Sequence, residues 1–235
     1  MSVLYLIPTL LSENTIPQQI LPAHTITTIH HLQQFIVENI RTARRFLSKA
    51  AHPVPIDNLQ FRVLNEHTLD SEIAPLLPYL MAADTGILSE AGAPCLADPG
   101  AQIVRLAHAN SISIIPLVGP SSILLALIAS GLNGQSFSFV GYLPVKRKER
   151  QDRLRALEQR SEKEHQTQIF IETPYRNMQL LNDIVQFCRA ETMLTIAADI
   201  TGAQQFILTQ SIGKWRKMLP NLNLNKIPTV FLLQA

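Results

Sequence analysis

Cysteine and net charge are both scarce in this sequence, and each scarcity excludes something. The two cysteines, Cys95 and Cys188, form no metal-ligand spacing. They read as reduced, buried thiols of a cytoplasmic protein; the sharper reading of Cys95 as a nucleophile lacks a histidine near it in sequence. A net charge of +2, with 16% charged residues, excludes a chain coated in nucleic acid and leaves room only for a local basic patch. His30 and His31 stand side by side without further ligands at useful spacing, so they read as surface or helix-start residues, and no metal is expected. No run is long and apolar enough for a bilayer span, and Met1–Ile7 lacks the basic start of a signal peptide, so no membrane association is expected. There is no P-loop, no glycine-rich dinucleotide fingerprint, no low-complexity tract and no solenoid-type repeat.

What the chain does have is a 46% hydrophobic composition arranged in strand–turn–helix units. The stretch from Gly86 to Gly131 carries the pattern twice. Gly86–Ser89 is a short apolar strand, Glu90-Ala91-Gly92-Ala93-Pro94 a turn, and Asp98 and Pro99 an N-cap and first-turn proline for a helix through Ile103 and Leu106. Ser113–Val118 is a second buried strand, Gly119-Pro120-Ser121-Ser122 its turn, and Ile123–Ser130 a helix closed by Gly131. Repeated units of this kind predict a parallel sheet, whose ligand crevice lies beyond the strand C-termini.

Around this stretch, Val3–Ile7 predicts a strand, His24–Ile29 a second strand, and Leu32–Ala50 one long helix. On that helix Glu38 and Arg41 read as an i,i+3 surface pair. Phe61–Leu64 reads as a strand and Ser71–Met81 as a helix weakened by Pro75 and Pro78. Ser136–Tyr142 alternates as a strand, and Lys146–His165 is a highly charged helix whose Lys146-Arg147-Lys148 start either faces solvent or meets an anion. Gln168–Ile171 is a strand leading through Glu172-Thr173-Pro174-Tyr175-Arg176, with Thr173 as cap and Pro174 as first residue of the next helix. Strands at Leu194–Ala198, Phe206–Thr209 and Pro228–Leu233 follow, with a helix at Ile212–Leu219. Their closer spacing predicts a mixed sheet and a division into residues 1–119 and 120–235. The fold class is α/β.

The turns themselves are recognisable. Ser89-Glu90-Ala91-Gly92-Ala93-Pro94 with Ala97-Asp98-Pro99-Gly100, Val118-Gly119-Pro120-Ser121-Ser122 with Ala129-Ser130-Gly131-Leu132, Phe139-x-Gly141-Tyr142-Leu143-Pro144, and Ile169-Phe170-Ile171-Glu172-Thr173-Pro174-Tyr175-Arg176 resemble, in order, the motifs of the tetrapyrrole methylase superfamily. Within it they are most similar to the bacterial ribose 2′-O-methyltransferases of small-subunit ribosomal RNA. The resemblance implies two α/β domains with S-adenosylmethionine in a cleft between them, usually in a homodimer. Carried over residue by residue, cofactor contacts fall at Leu11, at Glu90, Ala91, Gly92, Ala93 and Leu96, at Ser121 and Ser122, at Ile171 and Glu172, and at Thr201 and Gly202. Glu38-Asn39-Ile40-Arg41 stands where the family has an acidic pair followed by an arginine, so one carboxylate is here an amide. The first loop, Pro8–Asn14, lacks the family's glycine, and the family's C-terminal extension is missing.

The resemblance implies methyl transfer to a nucleophile, for which Glu38 or Glu172 is the candidate base and Arg41 or Arg176 the candidate for positioning an anionic acceptor. Glu172 reads equally as a helix-start charge favoured by the macrodipole, and Tyr175 as a base-stacking or a buried ring. The alternatives are a donor-binding protein with lapsed catalysis, marked by Asn39 and the changed first loop, and a methyltransferase acting on a tetrapyrrole or other small molecule.

Overall fold

The computed structural model describes residues 2–235, which form two compact units, residues 2–121 and 122–235. In chain order the first unit comprises β1 (Val3–Ile7), α1 (Pro17–Ile20), α2 (Ala23–His31), β2 (Gln34–Val37), α3 (Ile40–Lys49), β3 (Gln60–Val63), α4 (Leu77–Ala82), β4 (Thr85–Leu88), α5 (Ala101–Ala109) and β5 (Ser113–Pro116). Its sheet has the order β3-β2-β4-β1-β5, and every pairing is parallel. The all-parallel pairing gathers every strand C-terminus at one edge.

Strand residues alternate between two cores. Ile7, Phe35, Val37 and Leu88 join Ile29 of α2 and Phe46 and Leu47 of α3 on one face; Leu4, Ile36 and Ile87 join Leu80 of α4 and Ile103 of α5 on the other. The neighbours β1 and β4 therefore send their following helices to opposite faces of the sheet. That is the arrangement at which open α/β sheets form a crevice. Gly86 is required at the centre, since a Cβ there would lie 2.5 Å from Ile7 and 2.9 Å from Phe35.

Two expected elements of this unit are different. Residues 24–29 are helical, not extended: Thr27 and Thr28 return hydroxyl bonds to Ala23 and His24, and buried Thr25 and Ile29 fall one turn apart. His30 and His31 end this helix and bond carbonyl oxygens, those of Ala50 and Thr27. The long helix over 32–50 is a strand and a shorter helix. Gln34–Val37 is buried at every position, and Asn39 then caps α3 by accepting from the Arg41 amide at 2.9 Å. Glu38 thus lies in a strand-end turn and makes no pair with Arg41.

The second unit comprises α6 (Ser122–Ser130), β6 (Phe137–Tyr142), α7 (Arg147–Glu164), β7 (Thr167–Ile171), α8 (Asn177–Phe187), β8 (Met193–Ala198), β9 (Phe206–Ser211), α9 (Ile212–Met218) and β10 (Thr229–Gln234). Its sheet runs β6-β7-β10-β8-β9, with β6 and β7 parallel and the remaining pairings antiparallel. Leu154 and Leu157 of α7, Leu181 and Ile184 of α8, and Trp215 of α9 close one core with Phe170 and Phe231. The Trp215 indole donates to the Leu194 carbonyl at 2.8 Å. The basic start of α7 is neutralised within this unit: Lys146 meets Glu149, Arg147 meets Asp183 and Lys148 meets Asp152.

Candidate active site

In the first unit the crevice is built from backbone. The Thr9 amide donates to the Gly92 carbonyl at 2.9 Å, and the Ser89 hydroxyl to the same oxygen at 2.8 Å. These bonds fasten the turn after β4 to the loop after β1. Gly92 has φ +77, and a Cβ there would come 2.9 Å from Leu11 and 3.3 Å from the Pro120 carbonyl. Only glycine satisfies both the dihedral and the space. Leu11, Gly92 and Ser121 are thereby brought together, and Ala93 and half-exposed Leu96 follow on the same turn.

Glu38 reaches this turn across 52 residues of sequence: its Oε1 accepts from the Glu90 amide at 3.0 Å. The Glu90 carboxylate lies 2.5 Å from the Thr42 hydroxyl of α3. Burial raises the pKa of Glu38; the Glu90 amide pulls it down, and the charges of Asp98, Glu90 and Glu66 push it up again. Asp98 is raised as well, by burial, against the bonds it accepts from Gly100 and Cys95. Those bonds, 2.8 Å to the Gly100 amide and 2.9 Å to the Cys95 amide, give Asp98 a different task from the helix N-cap expected of it. It ties a loop in which Cys95 and Ala97 both have positive φ, while Gly100 takes the position before α5. The Cys95 thiol is pushed up to about 12, by burial and then by Asp98, which disfavours the thiolate that a nucleophile needs.

A groove of about 200 Å³ opens beside this edge, lined by the first loop from Thr9 to Glu13, by Thr42, Arg45, Phe46 and Lys49 of α3, and by Ser89, Glu90 and Ala91. Leu11, Glu90 and Ala91 therefore share one wall system. Arg41 is exposed and its guanidinium makes no hydrogen bond or ion pair among the described residues. Sequence reasoning missed Thr42 and Asp98 as parts of this edge. The Asp98-Pro99-Gly100 turn carried the signal, since aspartate closes such turns through neighbouring amides.

In the second unit the C-terminal ends of β6, β7 and β8 share one edge, because β10 runs antiparallel to both β7 and β8. Glu172 follows β7 and is buried; its Oε1 accepts from the Thr173 amide at 2.7 Å and from Arg176 at 2.6 Å, while its Oε2 has no partner. Thr173 and Pro174 precede the helix instead of starting it, and α8 begins at Asn177. Glu172 is thus an ion-pair partner of Arg176 rather than a helix-start charge. Tyr175 is 75% exposed, which removes the reading of a buried ring.

After β8, Asp199 and Thr201 have φ +47 and +67. A β-branched residue in that region is a genuine outlier. The turn is closed by the Gly202 amide on the Asp199 carbonyl at 2.8 Å and the Thr201 amide on the Gln205 side chain at 2.8 Å. The buried Thr201 Oγ1 has no partner. The buried polar groups without partners in this unit also include Gln168 Oε1, Arg176 Nε and Asn177 Oδ1; all but Gln168, inside β7, lie in the segments that follow β7 and β8. Among the described residues no group of three or more His, Cys, Asp or Glu side chains is placed to hold a metal ion.

No protein-family model matches the chain. Among curated proteins it is 33% identical over 139 residues to Ribosomal RNA small subunit methyltransferase I of Vibrio cholerae, covering 59% of this chain and 47% of that protein. It is 30% identical over 184 residues to the protein of the same name from Xylella fastidiosa, covering 78% and 64%, and 32% identical over 158 residues to that of Escherichia coli O157:H7, covering 67% and 54%. The matched region thus spans between about half and two thirds of these relatives' length. Among solved structures, the methyltransferase CobJ superposes with a TM-score of 0.65 at 12% identity, over 100% of this chain and 95% of that one. Uroporphyrin III C-methyl transferase from Thermus thermophilus superposes with a TM-score of 0.57 at 13% identity, over 100% and 98%.

Proposed function

We propose that this chain, a sequence relative of small-subunit ribosomal RNA methyltransferases with a tetrapyrrole-methylase fold of two α/β domains, transfers a methyl group from S-adenosylmethionine to a ribose 2′-hydroxyl of RNA. The observation that carries the reading is where the family-like turns sit. They occupy strand C-termini; those of the first unit approach one another through backbone, and those of the second hold buried polar atoms without partners.

The residues present fit the donor. Gly92 lets the turn after β4 close on Leu11 and Pro120 where any Cβ would clash, and Glu172 Oε2 and Thr201 Oγ1 are buried polar atoms without a protein partner, free to meet polar groups of the donor. In this reading Leu11, Glu90, Ala91, Gly92, Ala93, Leu96 and Ser121 of the first unit, and Ser122, Ile171, Glu172, Thr201 and Gly202 of the second, contact it. When bound, the donor supplies a methyl group on a positively charged sulfur that leaves as a neutral thioether.

Glu38 is the base. Its Oε1 is committed to the Glu90 amide, which leaves Oε2 to take the hydroxyl proton as the new oxygen–carbon bond forms, and its raised pKa makes it the stronger acceptor. Glu172, locked by Thr173 and Arg176, serves binding. Arg41 is an uncommitted cation able to hold a phosphate of the acceptor. Asn39 keeps the capping role an aspartate would have, so its presence leaves α3 in place and does not argue for lapsed catalysis.

We further place the protein in the cytoplasm as a homodimer; Leu124 and Ile128, one turn apart on α6, are 51% and 76% exposed, an apolar pair suited to a subunit contact. No described helix is long and apolar enough to cross a membrane. Calorimetric titration with S-adenosylmethionine, followed by incubation of labelled donor with ribosomal RNA and with a small-molecule fraction, tests the reading. Label in small-subunit RNA is the expected result; label in small molecules, or no donor binding at millimolar concentration, overturns it. Sedimentation equilibrium tests the dimer.

A further inference from the structure

α3 has an unusual charge pattern. Its ten residues, Ile40–Lys49, include Arg41, Arg44, Arg45 and Lys49 and no acid at all. Arg41 stands in the first turn, where the macrodipole disfavours a cation, and no acidic residue offsets it there. Such a break in local preference needs a compensating use.

The four cations divide by what they meet. Arg44 is neutralised by Asp57. Arg41, Arg45 and Lys49 recur every fourth residue and so form a stripe, with successive Cα atoms about 6 Å apart along the axis. The Arg41 guanidinium has no partner among the described residues. Arg45 is 3.4 Å from Glu13, an exposed pair of little strength. The Lys49 ammonium bonds the Glu13 carbonyl oxygen, which carries no charge. Among the described residues Glu13 is therefore the sole carboxylate paired with the stripe, and Glu90, which also lines the groove, is engaged with Thr42. Arg45 and Lys49 line the 200 Å³ groove beside Ser89–Ala91, and Phe46 of the same helix is among its apolar lining residues.

We propose that this groove is the track for the sugar–phosphate backbone of the acceptor strand, with Arg45 and Lys49 on its phosphates and Arg41 on the phosphate nearest the reacting ribose. The proposal rests on the reading of RNA as acceptor. A row of cations at regular spacing, short of counter-charge, beside apolar lining residues is suited to a single strand, whose phosphates take the charge and whose sugars and bases cover that lining.

The test is fluorescence anisotropy of a labelled single-stranded oligoribonucleotide across a salt series, without donor. Wild type is compared with the Arg45→Gln/Lys49→Gln double variant and with Arg44→Gln. All three positions are on the surface of the helix, and circular dichroism checks folding. The double variant is expected to bind at least severalfold more weakly and to lower the slope of log K against log salt by about 0.7 per lost phosphate contact. Arg44→Gln is expected to match wild type, and calorimetric binding of S-adenosylmethionine is expected to be unchanged in both. A double variant with wild-type affinity and slope, or an equal loss in Arg44→Gln, overturns the proposal. Donor binding by a wild-type protein that takes no oligoribonucleotide overturns it too while leaving methyl transfer standing. Stripe-dependent RNA binding without donor binding supports it and overturns the methyl-transfer reading instead.

Discussion

Thr201 and Gly202 are the residues where local cost is most visible. Thr201 is held at φ +67 with its hydroxyl buried and unpartnered. Strain of this kind, on the order of 1–3 kcal/mol, persists where the surroundings impose it, commonly at ligand sites. At Gly202 a Cβ would fall 2.0 Å from Asp199 Oδ1. Gly202→Ala must therefore swing that carboxylate away and break its 2.8 Å bond to the Gln204 amide. The expected cost is about 1 kcal/mol in urea unfolding, for one lost hydrogen bond. Calorimetry should record a larger loss of donor affinity, because the turn itself is displaced; wild-type affinity in Gly202→Ala would remove Thr201–Gly202 from the donor contacts. Glu38 makes a different prediction. Its folded pKa is raised above the ordinary value of 4.5, so the folded state binds its proton more tightly than the unfolded one. The stability that follows is present below 4.5 and is lost as pH rises through the raised value. Glu38→Gln keeps an acceptor for the Glu90 amide and removes the charge. It should melt no lower than wild type at about pH 8, with the difference closing toward about pH 4.5. Methyl transfer, by contrast, should fall by roughly 10²–10⁴-fold if Glu38 is the base.

Among the elements, α7 and α8 are joined by a buried ion pair. Arg150 and Asp183 have side chains 1% and 2% exposed, and Arg150 also donates to the Pro144 and Val145 carbonyls. Asp183→Ala would leave a guanidinium buried without its counter-charge. The expected loss is about 3–5 kcal/mol in denaturant unfolding, whereas Arg147→Gln, at the exposed side of the same carboxylate, should cost under about 1 kcal/mol. Equal effects from the two changes would show that burial does not govern this site. The pair joins residues 33 apart, and nothing in the local sequence announces it. Legibility fails elsewhere for a related reason. Residues 34–37 are apolar enough to extend a helical stripe into Phe46 and Leu47, and a short buried run has no period of its own. The signal that separates strand from helix there is Asn39, a capping residue in mid-pattern. The turns after β4 and β5, by contrast, were readable because glycine and proline punctuate them, and Gly131 takes the positive φ, +69, that its place after α6 predicts.

At the scale of the whole molecule, the contrast between an all-parallel sheet and a mixed one was legible from strand spacing. Continuous apolar runs separated by helices produced the first, and closely spaced strands the second. What spacing could not reveal is the long-range clip from Glu38 to the Glu90 amide, which brings the two family-like segments of the first unit to one edge. Each unit also contains one cysteine, and both thiols are pushed up to about 12: Cys95 by burial and Asp98, Cys188 by burial and Glu158. The raised pKa values slow both thiols toward an alkylating reagent such as iodoacetamide; buried Cys188 should react only during an opening excursion, and partly exposed Cys95 at a rate set by its own loop. Mass spectrometry of the two tagged peptides over time would then return two independent clocks, one for each half of the chain. Addition of S-adenosylmethionine should slow whichever clock belongs to a half that grips it, without any engineered probe.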